Sequence, residues 1–367
     1  MNQKTPLYQQ HVSLNAKLAP FAGYDMPIQY PSGVMKEHEW TRSHAGLFDV
    51  SHMGQAIVTG EKAAEFFSHI TPSSFLKTPH MRAKYTVLTN DKGGIIDDLI
   101  ITRMTDNKFF VVFNAGRKDV DIAWMKKNLP AGVTFDFLAE HALIALQGPE
   151  AEAVLSAEIP DADLAMLPYM TLKEASWKGT SVFVSRLGYT GEDGFEISIP
   201  GSKAAAFWST LLRNPSVLPI GLAARDSLRL EMGYPLYGHD LNEDITPVEA
   251  ALGWVITKTH DGYIGSSKVV PQLASGTTQK RVGIKLTESG IAREAAPIYV
   301  GTEKIGTLTS GGFSPSLKVA IGQGYVKSEY ANVGQKVEVE VRGKKLAAVI
   351  EGLSFVTAKT KQPVKKA

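Results

Sequence analysis

Short apolar segments separated by turn residues fill the chain from position 61 to position 137. Apolar residues recur at helical spacing in 61–70, where Ala63, Phe66 and Phe67 share one side. The turn Asn90-Asp91-Lys92-Gly93-Gly94 separates two apolar runs, as expected between paired strands. We therefore predict a small α+β unit with an antiparallel sheet, made of strands at 84–89, 95–102, 109–113 and 133–137 and helices at 61–70 and 117–128.

The α+β pattern continues to about position 232. A strand at 142–146 leads through Gly148-Pro149-Glu150 into a helix, and two further apolar runs flank a glycine-rich turn. An apolar stripe of Ala204, Phe207 and Leu211 indicates a helix. The predicted elements are strands at 181–186 and 195–199 and helices at 203–212 and 222–232.

The two ends of the chain have a different character. The first sixty residues are rich in Gly, Pro and aromatic residues, which predicts a loop-rich entry segment. After about position 275, short β-type runs alternate with Gly, Pro and Ser turns, which is typical of a small β-barrel or sandwich. The predicted strands of this C-terminal unit are 282–286, 298–300, 305–308, 319–321, 337–341 and 346–350.

Size and composition narrow the possible functions. With 367 residues and 39.8 kDa, the chain is long enough for two or three domains. Lys and Arg number 39 against 37 Asp and Glu, so no strong positive field favours a nucleic-acid partner. The absence of cysteine excludes disulfides, thiolate nucleophiles and Cys-ligated metals. We find neither a secretory or mitochondrial leader nor an apolar run of membrane-spanning length, so the sequence predicts a cytoplasmic protein without a membrane partner.

Two adjacent carboxylates interrupt an apolar strand in Gly93-Gly94-Ile95-Ile96-Asp97-Asp98-Leu99-Ile100. Neighbouring side chains of a strand point to opposite faces, so at most one of Asp97 and Asp98 faces solvent. The other needs hydrogen bonds or a function, because a buried and unpartnered carboxylate is costly. From this pattern alone, a structural role at the turn remains open beside a functional one.

A glycine-rich segment, Gly188-Tyr189-Thr190-Gly191-Glu192-Asp193-Gly194, lacks the order of a dinucleotide-binding fingerprint. It suits a tight hairpin, after which Phe195, Ile197 and Ile199 take one face of a strand and Glu196 and Ser198 take the other. A solvent-facing Glu196 and a functional one are both open.

Arg225 and Arg229 lie four residues apart on the predicted helix 222–232, so they share one face. Like charges at this spacing need anionic partners, which Asp226 or Glu231 could supply from the same helix. A ligand site and a structural ion-pair network fit this pattern equally well. The histidines show no metal-ligand spacing, and the sequence contains neither a nucleophile-elbow motif nor a phosphate-binding loop.

Taken together, in this order and spacing, these motifs resemble the aminomethyltransferase (T protein) family of the glycine cleavage system. The resemblance covers essentially the whole chain. It begins at Thr5-Pro6-Leu7-Tyr8 and Phe48-Asp49-Val50-Ser51-His52-Met53, passes through the three motifs above, and extends to Thr309-Ser310-Gly311-Gly312-Phe313-Ser314-Pro315-Ser316-Leu317.

The resemblance implies an enzyme that takes an aminomethyl group from the lipoyl arm of a carrier protein (H protein). It releases ammonia and forms 5,10-methylenetetrahydrofolate, with tetrahydrofolate as the acceptor and no metal. Asp98 would be the catalytic carboxylate, with positioning of the reactants and stabilisation of cationic intermediates as its main roles and general-base catalysis as a secondary one. Asp97 would be structural.

The same resemblance implies the folate-binding residues and the fold. Glu196 would grip the pterin edge, and the other residues implied at the folate site are Tyr85, Asn114, Tyr189, Arg225, Tyr234 and Tyr325. The implied fold is an α+β, three-domain cloverleaf around a central folate channel, with a C-terminal β-barrel-like domain. Its expected domains are 1–54 plus 139–250 for folate binding, 55–138 carrying Asp98, and 275–362 for the barrel.

Two other functions share this scaffold. One is a folate-dependent demethylase of another small methyl donor, or the folate module of a sarcosine or dimethylglycine oxidase. The oxidase would need a separate flavin subunit, because no dinucleotide fingerprint precedes the scaffold. A non-catalytic folate-binding protein is the other; such proteins typically carry a cysteine-containing signature, which this chain lacks.

Overall fold

The structure, a computed structural model, describes residues 2–361. The predicted domain 275–362 therefore ends one residue outside the described range. The N-terminal half of the described chain contains the following elements in order: α1 (Tyr8–Ser13), β1 (Lys17–Phe21), β2 (Tyr24–Gln29), α2 (Val34–Ser43), β3 (Ala45–Asp49), β4 (Gly54–Thr59), α3 (Ala63–Ile70), β5 (Arg82–Thr89), β6 (Ile95–Arg103), β7 (Lys108–Phe113), α4 (Lys118–Lys127), β8 (Thr134–Phe137), β9 (His141–Gln147) and α5 (Ala151–Glu158).

The remaining elements complete the sheet and then form the C-terminal unit. They are β10 (Thr171–Trp177), β11 (Thr180–Arg186), β12 (Gly194–Pro200), α6 (Gly201–Leu211), β13 (Val217–Pro219), α7 (Leu222–Glu231), α8 (Ser266–Ser275), β14 (Gln279–Leu286), β15 (Pro297–Val300), β16 (Glu303–Ser314), β17 (Val319–Lys327), β18 (Lys336–Val341) and β19 (Lys344–Glu351).

One sheet of 11 strands runs through the N-terminal two thirds of the chain, in the order β13-β3-β9-β12-β11-β10-β5-β6-β7-β4-β8. Its halves meet where β10 pairs with β5, at Thr171 and Arg82. One buried apolar cluster, with Phe195 and Trp208, covers the first half, and another, with Phe67 and Phe109, covers the second. The two halves correspond to the first two predicted domains, whose boundaries stay a prediction.

The C-terminal strands β14–β19 close into a six-stranded barrel in the order β14-β17-β16-β15-β18-β19. The barrel has its own core, which includes Val282, Ile298 and Val339. The α+β class and the C-terminal barrel are thus confirmed. Closure also decides between the predicted barrel and sandwich, because every strand of this unit is paired on both sides.

The prediction of a loop-rich first segment was wrong. Residues 2–60 contain two helices and four strands. Strand β3 shows the reason. All five of its residues, Ala45–Asp49, are buried, so the strand lacks the polar–apolar alternation by which a strand is recognised in a sequence. Pro20, Pro27 and Gly46, residue types that usually indicate loops, lie within β1, β2 and β3.

The turn before Asp97 and Asp98 is fixed by a long-range contact. The Asn90 side-chain oxygen accepts hydrogen bonds from the backbone of Lys92 (2.9 Å) and Gly94 (3.0 Å). A Cβ on Gly94 would lie 1.7 Å from the carbonyl oxygen of Glu243, so only glycine allows this approach. The segment around Glu243 is thereby packed against the start of β6, beside the two aspartates.

Candidate active site

Asp97 and Asp98 point to opposite faces of β6, and both faces are covered. Asp97 is fully buried on the face of Leu99 and Ile101, towards the Phe67–Phe109 cluster. Asp98 is partly buried on the other face, where Ile100 packs in a cluster that α7 also covers. Alternation was therefore predicted correctly, and neither carboxylate extends freely into solvent.

Asp98 is held by two donors. The Tyr85 hydroxyl donates to Asp98 Oδ2 (3.0 Å), and the Asn114 side-chain amide donates to Asp98 Oδ1 (2.8 Å). The same Asn114 amide also donates to Asp97 Oδ1 (2.9 Å), and the Asn114 backbone N–H donates to Asp97 Oδ2 (3.1 Å). Asn114 follows β7 directly, so it ties the two adjacent carboxylates to the neighbouring strand.

The protonation of Asp98 is set by its surroundings. Burial, and secondly the negative charge of Asp97, raise the pKa of Asp98 to about 7, although the hydrogen bonds from Tyr85 and Asn114 act in the opposite direction. Burial and the charge of Asp98 also raise the pKa of the Tyr85 hydroxyl well above its usual range, so this group stays a donor. A carboxylate that titrates near neutral pH can stabilise a cation and can also take up a proton.

A second group of predicted residues lies on the same face of the large sheet. Tyr189 and Tyr234 stack with ring centroids 5.7 Å apart and an interplanar angle of 23°. The Arg225 guanidinium lies 4.8 Å from the centroid of the Tyr189 ring. Glu196 on β12 pairs with Ala145, whose side chain belongs to the cluster beneath α7. The structure thus brings these four residues together, and because each of them is partly exposed, we call the space beside them the recess.

Glu196 and Arg225 are the charged groups of this recess. Glu196 is partly buried, so its side chain is not the solvent-facing one that the sequence left open. Burial raises the pKa of Glu196, and the positive charge of Arg225 partly offsets this. Burial lowers the pKa of Arg225, with Glu196 again opposing. Within residues 2–361, Nη1 of Arg225 is buried and has no hydrogen-bond partner.

Arg229 has a different environment from Arg225. Its guanidinium donates to Asp226 (2.8 Å), to the buried Asp240 (2.8 Å) and to Ser310 of the barrel (2.9 Å). Glu231 faces elsewhere and accepts from Arg42 (2.7 Å). The two alternatives from the sequence therefore divide between the two arginines: Arg229 belongs to a structural network, whereas Arg225 faces the recess.

Tyr325 of β17 lies in an apolar cluster that also includes Val87 and contacts Tyr85. Its hydroxyl donates to the Asp240 carbonyl oxygen (2.7 Å), so its polar end is occupied by the protein itself. Val87 of the same cluster pairs with Asp98 across β5 and β6. The ligand-binding roles of Tyr325 and of the six other predicted folate-site residues stay predictions, as does the catalytic role of Asp98.

Two residues near the site were missed from the sequence. Trp254 is 68% exposed and stacks on Tyr85, with centroids 5.6 Å apart and an interplanar angle of 23°. His52 is buried beside Arg225 and Lys118, and burial lowers its pKa to about 4. The exposed tryptophan follows a short buried segment without any local motif. His52 belongs to the first sixty residues, for which the sequence predicted loops and gave no sign of burial.

Among residues 2–361, no three or more His, Asp or Glu side chains are grouped so that they could hold a metal ion. No helix in this range is both long and apolar enough to cross a membrane.

Comparison with known proteins gives the family. The profile of the GCVT N-terminal domain matches residues 7–260, and that of the glycine cleavage T-protein C-terminal barrel domain matches residues 279–356. The chain is 41% identical to the mitochondrial aminomethyltransferase of Dictyostelium discoideum, over 98% of this chain and 94% of that protein. It is 39% identical to the aminomethyltransferase of Picosynechococcus sp., over 98% and 99% of the two chains.

The fold agrees over the same length. The crystal structure of the glycine cleavage system aminomethyltransferase T from Bartonella henselae superposes with a TM-score of 0.92 at 40% identity, covering 98% of this chain and 99% of that one. Both family profiles, the full-length identity and the shared architecture lead to one conclusion: this chain belongs to the aminomethyltransferase (T protein) family of the glycine cleavage system.

Proposed function

We propose that this protein transfers the methylene carbon of an aminomethyl group from the lipoyl arm of the H protein to tetrahydrofolate. The carbon leaves the lipoyl sulfur and the amine nitrogen and gains bonds to two folate nitrogens. Ammonia, the reduced lipoyl arm and 5,10-methylenetetrahydrofolate are the products. The family is one of tetrahydrofolate-dependent one-carbon transferases, and membership in the glycine cleavage system implies an interaction with the H protein.

The observation that carries this proposal is the position of Asp98. Its carboxylate is oriented by Tyr85 and Asn114, lies near Tyr189 of the recess, and is not paired with a cation in the described chain. Transfer of a carbon between amines passes through cationic iminium-like species, which a fixed negative charge stabilises. Asp98 would therefore orient the acceptor and stabilise the cation, and its pKa of about 7 also allows it to take a proton.

The pterin ring would bind in the recess formed by the second group of residues. Its flat edge presents several N–H donors, and the two oxygens of the Glu196 carboxylate can accept two hydrogen bonds from them at once. Tyr189 and Tyr234 offer aromatic faces beside it. The free Nη1 donor of Arg225 within residues 2–361 remains available to a ligand acceptor. We also propose a cytoplasmic location. It is a proposal because the relatives do not share one location, since the Dictyostelium protein is mitochondrial.

A reconstituted assay tests the proposed reaction. Tetrahydrofolate and H protein loaded with the aminomethyl group are mixed with this protein, and both ammonia and 5,10-methylenetetrahydrofolate are followed. We expect the two products in equal amounts, with no product when either substrate is omitted. Folded protein that yields no product would contradict the proposal. Turnover of another methyl donor without H protein would favour the demethylase instead.

Replacing Glu196 with Gln tests the pterin site. A neutral amide presents one acceptor and one donor where the pterin edge needs two acceptors, so we expect tetrahydrofolate to bind about 10- to 100-fold more weakly. Calorimetric titration measures this affinity. Glu140→Gln is the matched control, since Glu140 is exposed next to the neighbouring strand β9. Equal affinities of the two variants would remove Glu196 from the proposed site.

A further inference from the structure

A third carboxyl group lies behind the pair of aspartates on β6. Asp121 is in the first turn of α4 and is fully buried. In the part of the chain that the structure describes, no N–H or O–H group donates to either of its oxygens. The polar group that it contacts is the carboxyl of Asp97, to which a protonated Asp121 can donate a hydrogen bond.

Two carboxyl groups in such a contact cannot both be ionised, because neither would then have a proton to donate. Asp97 accepts hydrogen bonds from the backbone and side chain of Asn114 (3.1 and 2.9 Å), which favours its ionised form. Asp121 has no comparable donors. The neighbouring Arg117 donates to the Ile96 carbonyl oxygen (3.0 Å) and to Glu243 (2.6 Å), so its hydrogen bonds are directed away from Asp121.

We propose that Asp121 is a positioning residue for Asp98: as a neutral acid it donates a hydrogen bond to Asp97 and keeps Asp97 ionised, and the charge of Asp97 then acts on Asp98. Asn114 completes this arrangement, since one amide donates to both Asp97 and Asp98. Asp97 thus has a part in the reaction although it faces away from the recess. The inference rests on the proposed role of Asp98.

The surrounding charges support this distribution of protons. Burial, followed by the charge of Asp97, raises the pKa of Asp121 far above its usual range, and Arg117 opposes this only in part. Burial also raises the pKa of Asp97, while the hydrogen bonds from Asp121 and Asn114 lower it. The other titratable or charged groups around the pair are Asp98 on β6, Tyr85 on β5, Arg117 before α4, and Tyr237 and Glu243 in the segment after α7.

The first test measures the bound proton without using activity. If Asp121 is neutral in the folded protein and ionised in the unfolded one, unfolding releases one proton between about pH 5.5 and 8.5. A raised pKa in the folded state means that stability is lost as pH rises through this window. The ratio of folded to unfolded wild type should therefore fall about tenfold more per pH unit than that of Asp121→Asn, which carries no proton to release. Urea unfolding at a series of pH values gives both slopes.

The second test measures the effect on Asp98 through the pH profile of kcat/KM in the reconstituted assay. Asp121→Asn keeps a donor to Asp97, so the inflection should stay at its wild-type pH. Asp121→Leu has similar size but no donor, so Asp97 takes up a proton and its charge no longer acts on Asp98. The inflection should then move down by about one pH unit. Asp119→Asn is the control on the same helix, because Asp119 is exposed.

Each outcome decides one part of the inference. Equal pH slopes of stability for wild type and Asp121→Asn would show that Asp121 is ionised, which overturns the proposal whatever the activity. An unmoved inflection in folded Asp121→Leu would reduce Asp121 to a structural residue. If Asp121→Leu does not fold, Asp121→Asn still decides. A lowered inflection in that variant overturns the proposal, since it would show that wild-type Asp121 carries a negative charge that acts on Asp98. Failure of the proposed function itself would instead appear as no turnover in the wild type, with the stability slopes intact.

Discussion

Asp98→Asn is expected to lower kcat by about a hundred- to a thousandfold, because it removes the fixed negative charge from the place where the cationic intermediate forms. The amide has nearly the same size as the carboxylate. The Tyr85 hydroxyl, which now donates to Asp98 (3.0 Å), can accept from the new NH₂ group as readily as it donates. The fold should therefore be retained, and the thermal unfolding midpoint should stay close to that of the wild type.

The pH profile gives this prediction a second readout. Since the pKa of Asp98 is about 7, the wild-type kcat/KM should rise about tenfold per pH unit below neutrality and then level off. The variant should lose this rise. Asp91→Asn is the matched control, because Asp91 is exposed on the turn of the same hairpin. If Asp98→Asn turns over at near-normal rate, Asp98 is not the catalytic carboxylate.

Asp97→Asn offers a comparison between the two neighbours. Asp97 faces the buried side of β6 and does not reach the recess, so its replacement should cost less turnover than that of Asp98. It should nevertheless move the inflection of the profile to lower pH, because the negative charge of Asp97 contributes to the raised pKa of Asp98. The position of the inflection thus distinguishes the two carboxylates.

Local sequence patterns predicted the strands whose two faces differ. The alternation in β12 placed Phe195, Ile197 and Ile199 in the core and left Glu196 on the other face, as observed. Strands buried on both faces carry no such signal, and β3 was missed for that reason. Strands β16 and β17 are longer than predicted, because Gly311 pairs with Gly322 and Gly324 faces Leu308 inside the barrel, where glycines in a sequence usually indicate turns.

The site was harder to predict from the sequence than the strands, because its residues come together through long-range packing. Arg225 and Arg229 carry the same charge and lie on one face of the same helix. Only their contacts distinguish them, because Arg229 binds Asp240 and Ser310, which lie further along the chain. The burial of Asp121 had a weak signal, since it shares a helix face with Met125 at i, i+4. Its contact with Asp97 depends on how α4 packs against β6. The proposed roles of the individual residues came from the family resemblance.

Asp240→Asn should cause the largest loss of stability, about 3–5 kcal/mol, because it removes the buried counter-charge of the Arg229 guanidinium and leaves only the half-exposed Asp226. Asp240 is fully buried. Its Oδ2 accepts from Arg229 (2.8 Å) and from Ser310 and Gln323 of the barrel (2.9 Å each). An amide in its place would also turn an NH₂ group towards donors. The network joins α7 to β16 and β17, so the barrel should separate from the large sheet more easily.

Asp226→Asn is the matched control for this prediction, because Asp226 pairs with the same arginine from a position that is half exposed. Its carboxylate lies 2.8 Å from Arg229 Nε, and its side chain is 53% exposed. Water already solvates that ion pair, so its loss should cost no more than about 1 kcal/mol. Urea unfolding of both variants measures the difference. Similar losses would mean that burial does not govern the strength of the Arg229 network, and a small loss for both would place the coupling between sheet and barrel elsewhere.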